Sequence, residues 1–106
     1  MREVDVPTFA AQHSAGAVVI DVREPMEYFM GHVPGAEPVP LGRLAGHIGD
    51  LPRDTRVYVI CASGSRSLAA VEQLRRAGVD AWSVAGGTSA WRHAGHPVVR
   101  GRHKGR

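Results

Sequence analysis

The sequence predicts an α/β fold in which a parallel sheet carries helices on both faces. Short runs rich in β-branched and other apolar residues, at 18–22 (VVIDV), 56–60 (RVYVI) and 81–85 (AWSVA), have the length and composition of buried strands. Between them stand segments with helical starts, stops and periodicity. The 106 residues contain no internal repeat and no low-complexity linker, so this alternation belongs to one domain.

Taken in order, the strand at 18–22 is followed by a short helix at 24–30 (EPMEYFM). Pro25 fits a first helical position, acids occupy the first turn, and Gly31 stops the helix. Residues 31–36 (GHVPGA) are turn chemistry, and 37–41 (EPVPL) hold a short strand broken by prolines. Residues 41–48 (LGRLAGHI) space Leu41, Leu44 and Ile48 as a helix would, weakened by two glycines. Residues 51–55 are a loop leading to the strand at 56–60. The strongest helix is 67–77 (SLAAVEQLRRA), where Leu68, Val71 and Leu74 share a face and Gly78 stands where a C-terminal cap belongs. After the strand at 81–85, residues 86–94 (GGTSAWRHA) turn into a helix capped by Thr88 or Ser89.

A chain of this length buries roughly two-thirds of its unfolded surface, enough for one core without cross-links. Hydrophobic residues make up 43% and charged residues 22%, ordinary for a soluble globular domain. No apolar run approaches the roughly 18 residues that span a bilayer. The opening MREVDV has acids where a signal peptide needs its apolar stretch. The expectation is a cytoplasmic protein with no membrane partner. The net charge of +3 misleads about partners: four of the 13 Lys and Arg residues lie in the acid-free segment 100–106 (RGRHKGR), leaving nine against the 10 acids. A near-neutral domain over residues 1–99 is therefore expected to end in a disordered basic tail at 100–106. So short a basic run is weak ground for nucleic-acid binding, and a solvated end is the plainer reading.

Cys61 is the single cysteine of the chain. It has no internal disulfide partner and cannot found a multi-cysteine zinc site, so it is either an inert buried thiol or a chemically used one. Its place favours use. It directly follows a strand, and parallel α/β folds work beyond the carboxyl ends of their strands. Ala62, Ser63, Gly64 and Ser65 can curl so that backbone N–H groups point inward, with Gly64 tolerating the positive φ such a curl needs. A helix starting near Ser67 aims its positive end at the same point, and Arg66 adds a charge at the rim. All of these favour an anion at the loop centre: a thiolate, a persulfide or an oxyanion. The hydroxyls of Ser63 and Ser65 are further candidates to assist.

The loop at 61–67 (CASGSRS) resembles the active-site loop of the rhodanese sulfurtransferases: a Cys, four residues including Gly, then Arg and often Ser. Residues 19–28 (VIDVREPMEY), 31–36 (GHVPGA), 84–91 (VAGGTSAW) and 95–98 (GHPV) are similar to other blocks of that family, in order, across about residues 3 to 99. The resemblance implies a three-layer fold with a central, mostly parallel sheet of about five strands. It also implies sulfur transfer: the Cys61 thiolate takes the outer sulfur of a donor such as thiosulfate. The persulfide so formed passes that sulfur to an acceptor, cyanide in vitro and thiols or protein cysteines in cells. No metal and no organic cofactor is expected, because the thiol itself carries the sulfur. Expected partners are a small sulfur donor and a thiol or protein-cysteine acceptor, for a monomer or homodimer. The family often has a basic residue directly after the Cys. Ala62 stands there instead, which predicts weaker use of dianionic thiosulfate and a preference for a less charged persulfide or polysulfide.

A cysteine-dependent phosphatase also joins Cys to Arg through an anion-cradling loop, but with five intervening residues. The four here suit a sulfur atom better than a phosphoryl group, and no evident Asp stands as general acid. The same count argues against a phosphatase-like arsenate reductase. A non-catalytic binding or regulatory module stays open, although the retained Cys61, Gly64 and Arg66 speak for activity. Asp21 and Arg23 are expected as an ion pair fixing nearby loops, with substrate contact the alternative. Gly86 and Gly87 are expected to let the backbone pass close to the loop. His32 is read as a structural hydrogen-bonder rather than a base. His93 and His96 lack a third metal ligand. Trp82 and Trp91 are read as packing, and Tyr28 and Met30 as lining the mouth.

Overall fold

The computed structural model describes residues 2–105. Its five strands form one parallel sheet in the spatial order β1 (Glu3–Val4), β5 (Ala81–Val84), β4 (Val57–Ile60), β2 (Val18–Asp21), β3 (Glu37–Pro38). Four α-helices join them: α1 (Val6–Ser14), α2 (Pro25–Met30), α3 (Ser65–Arg76) and α4 (Gly87–His93). A 3₁₀ helix spans Leu41–Asp50. The expected three layers and parallel sheet are present.

The two-residue period of a strand divides the core into two layers. From β4, Val57 and Val59 join Leu44, Val71 and Leu74 beneath α3 and the 3₁₀ helix. Tyr58 and Ile60 face the opposite way, into a layer with Phe9, Val84 and Trp91. There Phe9 meets the Trp91 ring edge-on at 5.4 Å and Tyr58 at 5.6 Å. Cys61 continues the odd-numbered series and falls in the α3 layer. The thiol is thereby placed under the start of α3 by strand periodicity alone.

Several elements differ from the sequence expectation. Residues 3–14, to which no element was assigned, form β1 and α1. The Asp5 carboxylate caps α1 by accepting from the Thr8 N–H at 2.9 Å, with Pro7 in the first turn. The segment 41–48 is 3₁₀ rather than α: Gly42, Gly46 and Gly49 contribute no packing, and Leu44 is its one buried residue. The strongest helix starts at Ser65, two residues early, on Gly64 at φ 107°. Its buried face is Ser67, Ala70, Val71 and Leu74, with Leu68 half-buried. The last helix is capped at Gly86, not by Thr88 or Ser89, because the Thr88 hydroxyl is spent on the Cys61 carbonyl at 3.1 Å.

The segment expected as a disordered basic tail makes several contacts over its described residues. Gly101 N–H donates to the Phe29 carbonyl at 2.8 Å, and the Lys104 carbonyl accepts from Gly35 N–H at 2.6 Å. The His103 carbonyl meets His32 Nε2 at 2.8 Å, and the Lys104 ammonium pairs with Glu37. Residues 101–104 thus supply partners to the end of α2, the turn at 31–36 and the start of β3, mostly through backbone atoms that a basic composition does not reveal. Arg106 lies outside the described residues. His32 is the structural hydrogen-bonder expected, fully buried, its Nδ1 2.8 Å from the Tyr28 carbonyl.

Asp21 and Arg23 form the expected pair at the carboxyl end of β2. Arg23 Nε and Nη2 donate to the Asp21 carboxylate at 3.0 and 2.9 Å, and Nη2 also reaches the Gly31 carbonyl at 2.8 Å. Both side chains are buried. Removing one partner leaves an uncompensated buried charge, so Arg23→Met is expected to cost about 3–5 kcal/mol in urea unfolding, and Asp21→Leu/Arg23→Met together distinctly less. A single-variant cost under about 1 kcal/mol contradicts a structural role for the pair.

Candidate active site

Residues 61–67 wrap a sulfur atom. Gly64 N–H points at Cys61 Sγ from 3.1 Å and Ser67 N–H from 3.3 Å, while Ser67 Oγ lies 3.4 Å away. Ser67 Oγ is itself set by the Gly64 carbonyl at 3.0 Å and by Ser83 Oγ at 2.7 Å. Gly64 makes the turn possible at φ 107°, and α3, with 12 residues, begins directly after it. Burial pushes the Cys61 thiol up, but the Ser67 hydroxyl and the N–H groups of Ser67, Gly64 and Ser63 together outweigh it. The thiol is held below its ordinary range.

The outer side of the loop is gripped by α4. Thr88 N–H donates to the Cys61 carbonyl at 2.8 Å and Ser89 N–H to the Ala62 carbonyl at 3.0 Å. This close approach requires glycine: a Cβ on Gly87 would stand 2.3 Å from the Cys61 oxygen and 2.7 Å from that of Ala62. Gly86 (φ 77°) and Gly87 (φ 58°) also hold conformations that side chains disfavour. Both glycines sit where α4 approaches the loop.

The remaining loop residues divide. Ala62 is half-buried and lines a hollow of about 360 Å³ together with Met30, Gly31, Thr88, Ser89 and Arg92. Arg23 and Glu27 complete its wall. Ser63 and Ser65 are exposed, with Ser65 opening α3. Cys61 is 0% exposed and is not among the residues lining the hollow. A larger groove of about 810 Å³ lies against the other side of α2, between Met26, Phe29, Pro38 and Pro40, and does not include Cys61 or its loop.

Arg66 is not the free rim charge that the sequence suggests. Its guanidinium is bidentate on Glu27, at 2.7 and 2.8 Å. Those bonds hold the Glu27 carboxyl at about 2, and Glu27 raises Arg66 in turn. Glu27 is also fixed by the Glu24 N–H at 3.0 Å, so it caps α2 and clamps the loop together. Sequence reading missed Glu27, although its place three residues after the helix cap was a visible signal. It missed Ser83, which no local pattern marks, and it placed Ser67 in the anion cradle by its backbone without assigning the hydroxyl. Met30 lines the hollow as expected, but Tyr28 does not: its hydroxyl donates to the Ala36 carbonyl at 2.5 Å and its ring stacks on His32 at 3.6 Å. Burial pushes the Tyr28 phenol to about 12.

Among the described residues no group of three or more His, Cys, Asp or Glu could hold a metal ion, and His96 is stacked on Trp91 at 4.3 Å. No helix among them is long and apolar enough to cross a membrane.

The rhodanese-like domain family matches residues 6–94. A rhodanese-related protein from Thermoplasma volcanium superposes with a TM-score of 0.87 at 36% identity, covering 93% of this chain and 98% of its own. A rhodanese-like domain protein from Staphylococcus aureus gives 0.81 at 29% identity, covering 86% and 91%. A thiosulfate sulfurtransferase from Pseudomonas aeruginosa gives 0.88 at 28% identity over 98% of this chain, which corresponds to 21% of that longer protein. A parallel sheet in this strand order, a thiol under the start of α3 and a family match across most of the chain agree, and the chain belongs to the rhodanese-like domain family.

Proposed function

We propose that the protein is a sulfurtransferase that moves a sulfane sulfur from a small donor to a thiol or protein-cysteine acceptor through a persulfide on Cys61. The observation that carries this reading is the convergence of two amide N–H groups and a hydroxyl on Sγ, which favours the thiolate. The thiolate attacks the outer sulfur of the donor. A bond forms between Sγ and that sulfur, and the donor's sulfur–sulfur bond breaks, its electron pair leaving with sulfite or a thiolate. An acceptor nucleophile then attacks the terminal sulfur and Sγ departs as a thiolate again. A thiol of lowered pKa both populates the attacking form and leaves readily, so the same donors serve both half-reactions. No oxidant is consumed, and a single reduced thiol suits a cytoplasmic setting.

Donor choice follows from charge. Ala62 contributes none, and Arg66 is neutralised by Glu27. Within the loop no free charge is left to hold dianionic thiosulfate, so a contact to its sulfonate must come from outside the loop. One observation favours a second reading, a binding or regulatory module: Cys61 has no exposed surface, so a donor reaches it only when the outer loop residues shift.

Two experiments decide. Cys61→Ser is expected to abolish transfer to cyanide with the fold intact by circular dichroism. The wild type is expected to gain the mass of one sulfur atom from a donor, reversibly with cyanide. A wild type that never gains this mass supports the module. Ser67→Ala removes the hydroxyl that holds the thiol pKa down, so the thiol pKa rises and the acid limb of the kcat/KM profile moves to higher pH. Near neutrality kcat/KM should fall about tenfold, the scale of one hydrogen bond to a charged group. An unmoved limb means that the Ser67 hydroxyl does not support the thiolate.

A further inference from the structure

We propose that Arg92 is the residue that binds the oxyanion of the sulfur donor's leaving portion, an assignment that rests on the sulfurtransferase reading above. Three guanidinium groups stand at or beside the hollow next to Ala62, and two are already committed. Arg23 is spent on Asp21 and the Gly31 carbonyl, and Arg66 is bidentate on Glu27. Arg92 has no carboxylate within ion-pair distance among the described residues. Its one hydrogen bond there is long: Nη2 donates to the Met30 carbonyl at 3.3 Å from an exposed side chain. A guanidinium has five N–H donors in a planar fork, so most of its capacity is open to a ligand.

Its position is built rather than incidental. The guanidinium lies directly over Gly31, where an added Cβ would meet Nη2 at 1.9 Å and Cζ at 3.1 Å. Any side chain at position 31 would displace it from the wall of the hollow. Arg92 also rides on α4, the helix that grips the Cys61 and Ala62 carbonyls through Thr88 and Ser89. The cation and the thiol loop therefore share one rigid support. Ala62 adds no charge to the hollow, and the Glu27 carboxylate on its wall is already paired with Arg66.

A single uncompensated cation matches a donor whose leaving portion bears one oxyanion group, such as the sulfonate end of thiosulfate. Sγ attacks the sulfane sulfur, the bond from that sulfur to the sulfonate sulfur breaks, and sulfite leaves with the electron pair while Arg92 holds its oxygens. A donor such as ethyl persulfide, whose leaving thiolate has no oxygens, does not use this contact.

Arg92→Gln is expected to raise KM for thiosulfate about tenfold with kcat within about twofold, and to leave KM for ethyl persulfide within about twofold. Arg92→Lys should recover part of the loss, because a point charge lacks the bidentate fork. An unchanged thiosulfate KM, or an equal rise with both donors, overturns the assignment. Titration calorimetry with sulfite reads the same contact without turnover. Tenfold weaker sulfite binding by Arg92→Gln supports the anion contact, and unchanged affinity overturns it. If that weakening occurs in a protein that transfers no sulfur from either donor, it is the sulfurtransferase reading that fails.

Discussion

The thiol loop keeps its shape because its two polarities are satisfied by different partners. A tight loop whose amides face inward must turn its carbonyls outward, and those carbonyls need donors. The first turn of α4 has N–H groups with no partner inside the helix. Thr88 and Ser89 bring two of them to the Cys61 and Ala62 carbonyls. The inner amides are then left for the sulfur. One helix start stabilises the outside of the loop and another, α3, closes the inside. Both contacts depend on backbone approach, which is why glycine occupies positions 64 and 87.

Charge around this loop is arranged in pairs. Asp21 with Arg23 ties the end of β2 to Gly31, and Glu27 with Arg66 ties α2 to the start of α3. These pairs have different surroundings. The first is buried, so its worth lies in leaving neither charge bare. The second is about one-third exposed and screened by water, and its consequence is mainly local: it fixes Arg66 and cancels its field.

Much of this was legible in the sequence. The β-branched runs located β2 and β4, and the place of Cys61 at a strand end pointed to the candidate site. The paired glycines at 86 and 87 signalled a close backbone approach. What escaped notice was of two kinds. Asp5 and Pro7 mark the start of α1, but they sit in a segment without a strong apolar stripe. The Glu27–Arg66 clamp joins residues 39 positions apart, and no local pattern chooses that partner. The contacts of residues 101–104 run mostly through carbonyl and amide groups, which every residue type carries, so composition does not reveal them.

The division of β4 between two layers makes the reactivity of Cys61 a matter of parity. Counting from Val57, the sulfur lies an even number of steps along the strand and so shares the side of Val57 and Val59. Insertion or deletion of one residue inside β4 would reverse that count. The sulfur would then turn toward the layer of Phe9 and Trp91, among rings and aliphatic carbons, and the amides of Gly64 and Ser67 would face an empty place. Chain length in this strand is therefore constrained by chemistry as tightly as by packing.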